Sequence, residues 1–260
     1  MEALKQMFIR TPLERPMQRL RYLAGFRKRR KHPELAEIYA ESDRVEAMLD
    51  RVVKKDSNCL DIGCHLGSFL SHLLRLAPQG KHAAFEALPD KAARLKKKFP
   101  DVEVHHCAVG EKPGEITFYR NLTRSGFSGM NVHASDTDKI EEVKVRCLPI
   151  DEMVPTDRRI AFMKVDVEGA ELSVLKGAKN LIDRSKPVLL FECTIDGLES
   201  ADTTPQQIFD YLNETLGYRV YLLKDWLANG SPLDFERFLK SMKYPFQAFN
   251  FVAAPAESKP

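Results

Sequence analysis

The stretch that decides the fold runs from Asn58 to Leu70 and reads NCLDIGCHLGSFL. Its spacing predicts a short buried strand, a tight turn that contains Gly63 and Gly67, and an apolar helix that starts directly after the second glycine. Twenty-three residues after Gly63, the next apolar run ends at Glu86. Because an acid at the end of a second strand can accept hydrogen bonds from ribose hydroxyls, the pattern predicts a pocket for an adenosine-bearing cofactor.

The glycine spacing favours S-adenosylmethionine over a dinucleotide. A dinucleotide site needs G-x-G-x-x-G because the pyrophosphate lies against the helix N-terminus. Here the glycines are spaced G-x-x-x-G, and Asp61 precedes them by two residues. A carboxylate beside the turn disfavours a pyrophosphate but suits a cationic amino-acid cofactor. No Gly-Lys-Ser/Thr follows, which excludes a P-loop; a purely structural strand–turn–helix remains the alternative.

Composition indicates an ordinary globular protein. The chain has 260 residues, of which 43% are hydrophobic and 30% are charged, which suits one α/β domain. The sequence shows neither a long apolar run nor an apolar signal core, so we expect a cytoplasmic protein without a transmembrane segment. The five cysteines are odd in number and form no C-x-x-C pair, which predicts buried free thiols rather than a zinc site.

The positive charge is concentrated at the N-terminus. Residues 1–32 hold ten Lys or Arg and two Glu, a net charge of +8, whereas the remaining residues hold 30 basic and 35 acidic side chains. We therefore predict a basic arm over residues 1–33 and a single domain over residues 34–260. The arm is interpreted as a solvated, partly disordered segment, as a peripheral contact with an anionic membrane, or as a contact with an anionic substrate. Nucleic acid is a less favoured partner because no basic excess exists outside the arm.

The rest of the chain alternates strand and helix patterns. Seven strands in this rhythm predict an α/β fold with an open, doubly wound, mostly parallel sheet that binds ligands at its carboxyl edge. The alternation pauses over about residues 112–147, where two strand patterns flank a long polar loop, and we interpret this segment as an insertion. Arg124, Ser125 and His133 in the loop are candidates for substrate contacts.

Acidic residues occur at nearly every predicted strand end. Unpaired buried carboxylates are costly, and a cationic sulfonium cofactor would give several of them a partner. Asp61 is assigned to the amino-acid portion of the cofactor, Glu86 to the ribose, and the Cys107-Ala108 pair to the adenine. The full predicted cofactor-binding set is Asp61, Gly63, Cys64, Gly67, Ser68, Glu86, Ala87, Cys107 and Ala108.

The run Met163 to Ala178, MKVDVEGAELSVLKGA, resembles the signature of the FkbM-type methyltransferases. Weaker matches lie at Leu60–Gly63, Ala84–Glu86, Cys107–Gly110, Leu190–Glu192 and Phe249–Pro255. The resemblance implies a Rossmann-like class I fold, S-adenosylmethionine as cofactor, and O-methylation of a sugar, a glycan or a glycosylated small molecule. The chain departs from the family pattern at Cys64-His65, where the family usually has Ala-Asn, and at Ala87, where it often has Pro.

A sugar hydroxyl is a weak nucleophile, so we expect help from a base or a metal ion. Asp166 and Glu168 are the predicted catalytic residues. They would orient or deprotonate the acceptor, either directly or through Mg²⁺ or Ca²⁺ with Asp166 as a ligand. The alternative for Glu168 is a cap on the helix that begins at Gly169. Glu192 is interpreted as a contact to acceptor or cofactor, or as a partner of a nearby lysine or arginine.

Two other functions stay open at this stage. The same pocket would allow N-methylation of a small-molecule amine. A non-catalytic module that binds the cofactor and recruits a partner through the basic arm is the second alternative.

Overall fold

The structure is a computed structural model that describes residues 7–123, 128–129 and 137–256. Its helices are α1 (Glu14–Ala24), α2 (Phe26–Lys31), α3 (Ala36–Tyr39), α4 (Glu41–Val52), α5 (Ser68–Leu76), α6 (Pro89–Lys98), α7 (Ile150–Met153), α8 (Glu171–Gly177), α9 (Lys179–Ser185), α10 (Ile195–Ser200), α11 (Pro205–Asp210), α12 (Leu223–Leu227) and α13 (Phe235–Ser241). A 3₁₀ turn (Pro33–Leu35) precedes α3, and a π-helical turn (Tyr211–Thr215) follows α11.

The strands are β1 (Cys59–Ile62), β2 (Ala83–Glu86), β3 (Glu103–His106), β4 (Ala108–Val109), β5 (Gly114–Asn121), β6 (Ile140–Leu148), β7 (Phe162–Val165), β8 (Val188–Glu192), β9 (Tyr218–Leu222) and β10 (Asn250–Pro255). Seven of them form one sheet in the order β3-β2-β1-β7-β8-β10-β9. All pairs are parallel except those that β10 makes with β8 and β9. The predicted seven-stranded, mostly parallel, doubly wound sheet is confirmed, and the carboxyl ends of β1, β2, β7 and β8 meet at one edge.

Both faces of the sheet are covered. Leu60 and Ile62 of β1 point into the larger apolar cluster, whereas Cys59 points into a second cluster on the opposite face. Such two-sided burial explains the near-continuous apolar runs of the central strands. All five cysteines are buried and unbridged, as the sequence predicts.

The predicted insertion forms a small separate sheet. β5 and β6 pair in antiparallel register, and β4 adds to β6 in the order β4-β6-β5. The division into an arm over residues 1–33 and a domain over residues 34–260 stays a prediction. Arg124, Ser125 and His133 lie outside the described residues.

Two predicted helices are interrupted. The helix expected over about residues 169–182 is divided into α8 and α9 at Ala178. A Cβ on Gly177 would lie 2.0 Å from the backbone oxygen of Gly110, so the chain passes too closely here for any larger residue. The helix expected over about residues 34–53 begins instead as a 3₁₀ turn and α3, and continues as α4 after Ala40.

The described part of the basic arm is folded against the domain. Ile9 is buried with Leu95 and Phe99, which lie in and just after α6. The buried carboxylate of Glu14 accepts hydrogen bonds from the Ser71 hydroxyl at 2.7 Å and from the Arg10 amide at 2.9 Å. These anchors hold residues 9–14 against the domain, and the partly disordered interpretation of the arm as a whole stays a prediction. Within the described ranges, no helix is long and apolar enough to cross a membrane.

Candidate functional site

The turn after β1 requires glycine at position 63. Gly63 has a φ of +79°, and a Cβ there would lie 1.7 Å from the backbone oxygen of Asp166. The amides of Gly63 and Cys64 donate to the Phe85 carbonyl at 3.0 and 3.2 Å, which ties the turn to the end of β2. The turn can cross the end of β7 this closely because residue 63 carries no side chain.

Gly67 serves helix packing. Its φ is +80°, and a Cβ would lie 2.5 Å from a ring carbon of Phe99 and 2.8 Å from a methyl group of Leu95. Gly67 therefore lets α5 begin in close contact with α6. This contact gives the second glycine of the motif a role that needs no cofactor.

A cavity of about 230 Å³ opens at the carboxyl ends of β1, β2 and β7. Seven of the predicted site residues line it, namely Gly63, Glu86, Ala87, Cys107, Ala108, Asp166 and Glu168. Four predicted cofactor residues do not line it, namely Asp61, Cys64, Gly67 and Ser68. His65, at the departure from the family pattern, also lines the cavity, and sequence reasoning missed Lys91 and Phe118. The insertion therefore contributes to the cavity, through Phe118 of β5.

Glu86 is held rigidly at the end of β2. Its side chain is buried, with Oε2 accepting from the His65 amide and Oε1 from the Leu88 amide, both at 2.9 Å. Burial raises the pKa of Glu86 above its ordinary value. Each carboxylate oxygen keeps a further lone pair, so the group can still accept hydrogen bonds from a ligand.

Asp61 faces a buried lysine. Asp61 of β1 and Lys164 of β7 are register partners, and Lys164 Nζ lies 3.7 Å from Asp61 Oδ1. The same ammonium donates to Asp166 Oδ2 at 2.8 Å. Burial opposes the charge of Lys164, but the carboxylates of Asp166 and Asp61 outweigh it and raise the lysine pKa. Sequence reasoning missed Lys164, although a lysine within the apolar run 160–165 was a usable signal.

Three carboxylates gather at the far side of the cavity. One oxygen from each of Asp166, Glu168 and Glu192 lies within 4.8 Å of the others. Burial raises the pKa of Glu192, and the charge of Asp166 raises it further. Burial would also raise the pKa of Asp166. The charge of Lys164 and the hydrogen bonds from Glu192 and Lys164 overcome this effect and lower the pKa of Asp166. The pair therefore holds a protonated Glu192 that donates a hydrogen bond to an ionised Asp166. The main partner of Glu192 is a carboxylate rather than a lysine or arginine.

Glu168 is a lining residue, and its neighbour Glu171 makes the backbone contacts. Oε1 of Glu171 accepts from the amides of Val167 and Gly169 at 3.2 and 3.1 Å, just before α8. Glu168 has a φ of +54° and borders the cavity. Burial, then the charges of Asp166 and Glu171, raise the pKa of Glu168 to about 8. The N-cap of α8 is Ala170, and no side-chain hydrogen bond caps this helix, so the alternative of Glu168 as the helix cap is not supported.

The sheet order, the Gly63 turn and the acid that ends β2 together define a Rossmann-like class I methyltransferase domain. The sequence matches the family model described as the methyltransferase FkbM domain over residues 61–220, which is more than half of the chain. The chain therefore belongs to the FkbM methyltransferase family, and the resemblance seen in its motifs is confirmed.

Two curated relatives share part of this chain. Methyltransferase 1 of Beauveria bassiana is 27% identical over 145 residues, which cover 47% of this chain and 58% of the relative. The AMB antimetabolite synthetase AmbE of Pseudomonas aeruginosa is 23% identical over 222 residues, which cover 69% of this chain and 10% of the relative. The chain thus spans less than two thirds of the length of either protein.

Solved structures with a similar fold include two methyltransferases. FkbM from Methylobacillus flagellatus is 18% identical, with 77% of this chain and 44% of that chain covered and a TM-score of 0.45. SMU.1697c from Streptococcus mutans, a putative methyltransferase in complex with SAH, is 14% identical, with 82% and 97% covered and a TM-score of 0.45.

Proposed function

We propose that this protein is an S-adenosylmethionine-dependent methyltransferase that O-methylates a hydroxyl of a sugar, a glycan or a glycosylated small molecule. One observation carries the proposal beyond family membership. A single cavity is lined both by a ribose-type acid, Glu86 at the end of β2, and by the carboxylate cluster of Asp166, Glu168 and Glu192 at and beyond the ends of β7 and β8, with β1 between β2 and β7 in the sheet. The first group suits a nucleoside cofactor, and the second suits activation of a hydroxyl nucleophile.

The lining residues fit the cofactor. Gly63 lines the cavity, Glu86 offers acceptors to the ribose, and Cys107 with Ala108 supplies an apolar wall for the adenine. S-adenosylmethionine supplies a methyl group bonded to a positively charged sulfur. Asp61 contributes indirectly, by pairing with Lys164 behind the cavity. Cys64, Gly67 and Ser68 belong to the turn and the start of α5 that hold Gly63 in place.

Glu168 is proposed as the general base. A pKa of about 8 leaves it partly ionised near neutral pH and basic enough to take the proton from an acceptor hydroxyl. Asp166, kept ionised by Lys164 at 2.8 Å, would accept a hydrogen bond from the same hydroxyl and orient it. Holding the oxygen in line with the methyl group supplies much of the rate. Protonated Glu192 fixes the position of Asp166.

A divalent cation is a second way to activate the hydroxyl at the same place. Carboxylate oxygens are the ligands that Mg²⁺ and Ca²⁺ prefer, and Asp166, Glu168 and Glu192 present three of them within 4.8 Å. Activity that is lost in EDTA and restored by Mg²⁺ or Ca²⁺ would support this route. Undiminished activity in EDTA would assign the proton transfer to Glu168 alone.

The test combines binding with turnover. Calorimetry measures the affinity for S-adenosylmethionine, and mass spectrometry detects transfer of its labelled methyl group to candidate saccharides. We expect Glu168→Gln to bind the cofactor and to lose about 10²- to 10⁴-fold in rate, while the exposed control Glu199→Gln keeps full activity. Full turnover by Asp166→Asn and Glu168→Gln would contradict the proposed roles. Methylation of amines alone would replace O-methylation by N-methylation, and cofactor binding without any transfer would indicate a non-catalytic module.

A further inference from the structure

The N-terminal arm exposes apolar side chains as well as charge. Seven large hydrophobic side chains are strongly exposed among the described residues, and five of them lie between residues 7 and 26. They are Met7, Leu13, Leu20, Leu23 and Phe26. Leu13 directly precedes α1, and its carbonyl accepts a hydrogen bond from the Met17 amide of the helix at 3.0 Å. At helical spacing Leu13, Leu20 and Leu23 fall within about 80° of arc, so they form one exposed stripe along this side of the arm. We call residues 7–31 with this stripe the arm surface.

The same segment is strongly basic. From Glu14 to Lys31 it contains eight Lys or Arg and one acid, and that acid, Glu14, is buried and bonded to Ser71. The exposed charge of the arm surface is therefore entirely positive between these residues. An amphipathic helix with basic residues and exposed leucine and phenylalanine is suited to the interface of an anionic membrane.

The arm surface has a fixed position on the domain. The Glu14–Ser71 hydrogen bond, the burial of Ile9 and the Arg10–Asp101 ion pair at 3.1 Å hold its N-terminal end. At its other end, the segment beyond α2 contacts the connection between α13 and β10, where the Tyr244 hydroxyl donates to Glu34 Oε1 at 2.9 Å. The stripe on α1 is thus held on the outside of the molecule, with its leucines exposed.

We infer that the arm surface docks this protein on the face of an anionic lipid bilayer. Charge complementarity selects this occupant. A second copy of the chain would bring the same positive charge against it. Nucleic acid would leave the exposed leucines in water, whereas a bilayer accepts both the charges and the apolar side chains. The proposal goes beyond methyl transfer, because it concerns where the protein resides and not which group it modifies.

Vesicle co-sedimentation of the full chain tests the inference. We expect binding to phosphatidylcholine vesicles that contain about 30% phosphatidylserine, weaker binding at higher salt, and none to phosphatidylcholine alone. Each basic residue near the membrane surface should contribute about fivefold to binding, so the double variant Arg30→Gln/Lys31→Gln should bind about 20- to 30-fold more weakly. Lys96→Gln/Lys97→Gln removes the same charge from exposed positions on α6 and should change binding little.

A second matched pair tests the apolar stripe. Leu23 and Leu122 are 65% and 56% exposed, so neither change to serine should disturb the core. Leu23→Ser should weaken vesicle binding severalfold, and Leu122→Ser should not. The inference would be overturned if the protein bound neutral and anionic vesicles equally, or if it did not sediment with vesicles at low salt. It would also be overturned if an arm variant and its matched control lost vesicle binding to the same extent. A concentration-dependent dimer that Leu23→Ser dissolves, without vesicle binding, would assign the surface to a second copy instead.

Discussion

Replacing Lys164 with methionine should destabilise the protein strongly and in a pH-dependent way. Methionine keeps an unbranched side chain of similar length but removes the ammonium that lies 3.7 Å from Asp61 Oδ1. Asp61 is fully buried, and neither carboxylate oxygen has a hydrogen-bond partner among the described residues. The variant would therefore leave a buried carboxylate without its charge partner.

The loss of stability in Lys164→Met can be calculated in two ways, with Asp61 left ionised or with Asp61 protonated. The attraction across 3.7 Å is about 4 kcal/mol at an effective dielectric constant of about 20, and breaking a buried ion pair costs about 3–5 kcal/mol. Asp61 can instead take up a proton, which costs about 4 kcal/mol at pH 7 and about 1.5 kcal/mol at pH 5. We therefore expect the free energy of unfolding to fall by about 3–4 kcal/mol at pH 7 and by about 1–2 kcal/mol at pH 5. The deficit grows with pH because Asp61 of the folded variant retains a proton that the unfolded chain releases.

Urea unfolding followed by circular dichroism, at both pH values, measures this change. Asp61→Asn/Lys164→Met removes both charges of this pair and should recover part of the lost stability; Asp166 still lacks its ammonium partner in this variant. Lys179→Met is the surface control, because its ion pair with Asp183 is shorter, at 2.6 Å, but solvent-exposed, and its loss should cost less than about 1 kcal/mol. A loss below about 1 kcal/mol at pH 7 for Lys164→Met, or an equal loss at pH 5, would refute the reasoning.

Three further predictions concern the turn, the base and a helix start. Gly63→Ala should abolish cofactor binding and lower the melting temperature strongly, because the new Cβ would lie 1.7 Å from the backbone oxygen of Asp166. The control is Gly217→Ala, at a position that also has a positive φ, +69°, but has open space around it. This change should lower the free energy of unfolding by only about 1 kcal/mol. Glu168→Gln should stabilise the cofactor-free protein by about 4 kcal/mol at pH 8 and by about 1 kcal/mol at pH 5, because the wild-type pKa of about 8 makes the folded state lose stability as pH rises from the ordinary carboxyl range toward 8; the same stability gain at both pH values would disprove this. Thr204→Ala, which removes the capping box of α11, should cost about 1 kcal/mol in urea unfolding without changing activity.

Local patterns in the sequence predicted the sheet and one side of the cavity. The run from Asn58 to Leu70 contains its own strand, turn and helix start, and the structure places β1 and the first residues of α5 within it. The capping box of α11 is equally local, because Gln207 lies only three residues after Thr204. Gly63 and Glu86 both line the cavity, since strand ends are marked by where apolar runs stop.

Interactions between distant residues were less accessible. Gly67 packs on Phe99, which lies 32 positions further along the chain. The spacing between Gly63 and Gly67 suggested a contact to the cofactor instead. The choice between Glu168 and Glu171 as the residue that binds the backbone before α8 depends on how the chain turns after β7. A left-handed φ at Glu168 is not encoded by a recognisable local pattern.

The sequence by itself determined the alternation of strands and helices, the glycine turn and the acids at the strand ends, because burial and turn geometry act on neighbouring residues. The tertiary structure alone decided that Asp61 faces Lys164, that Glu192 is hydrogen-bonded to Asp166, and that the basic arm is anchored through Glu14. These partners come together through strand register and helix packing, which depend on the whole chain. Their distances and burial, and not their residue types, set the charges with which the site would act.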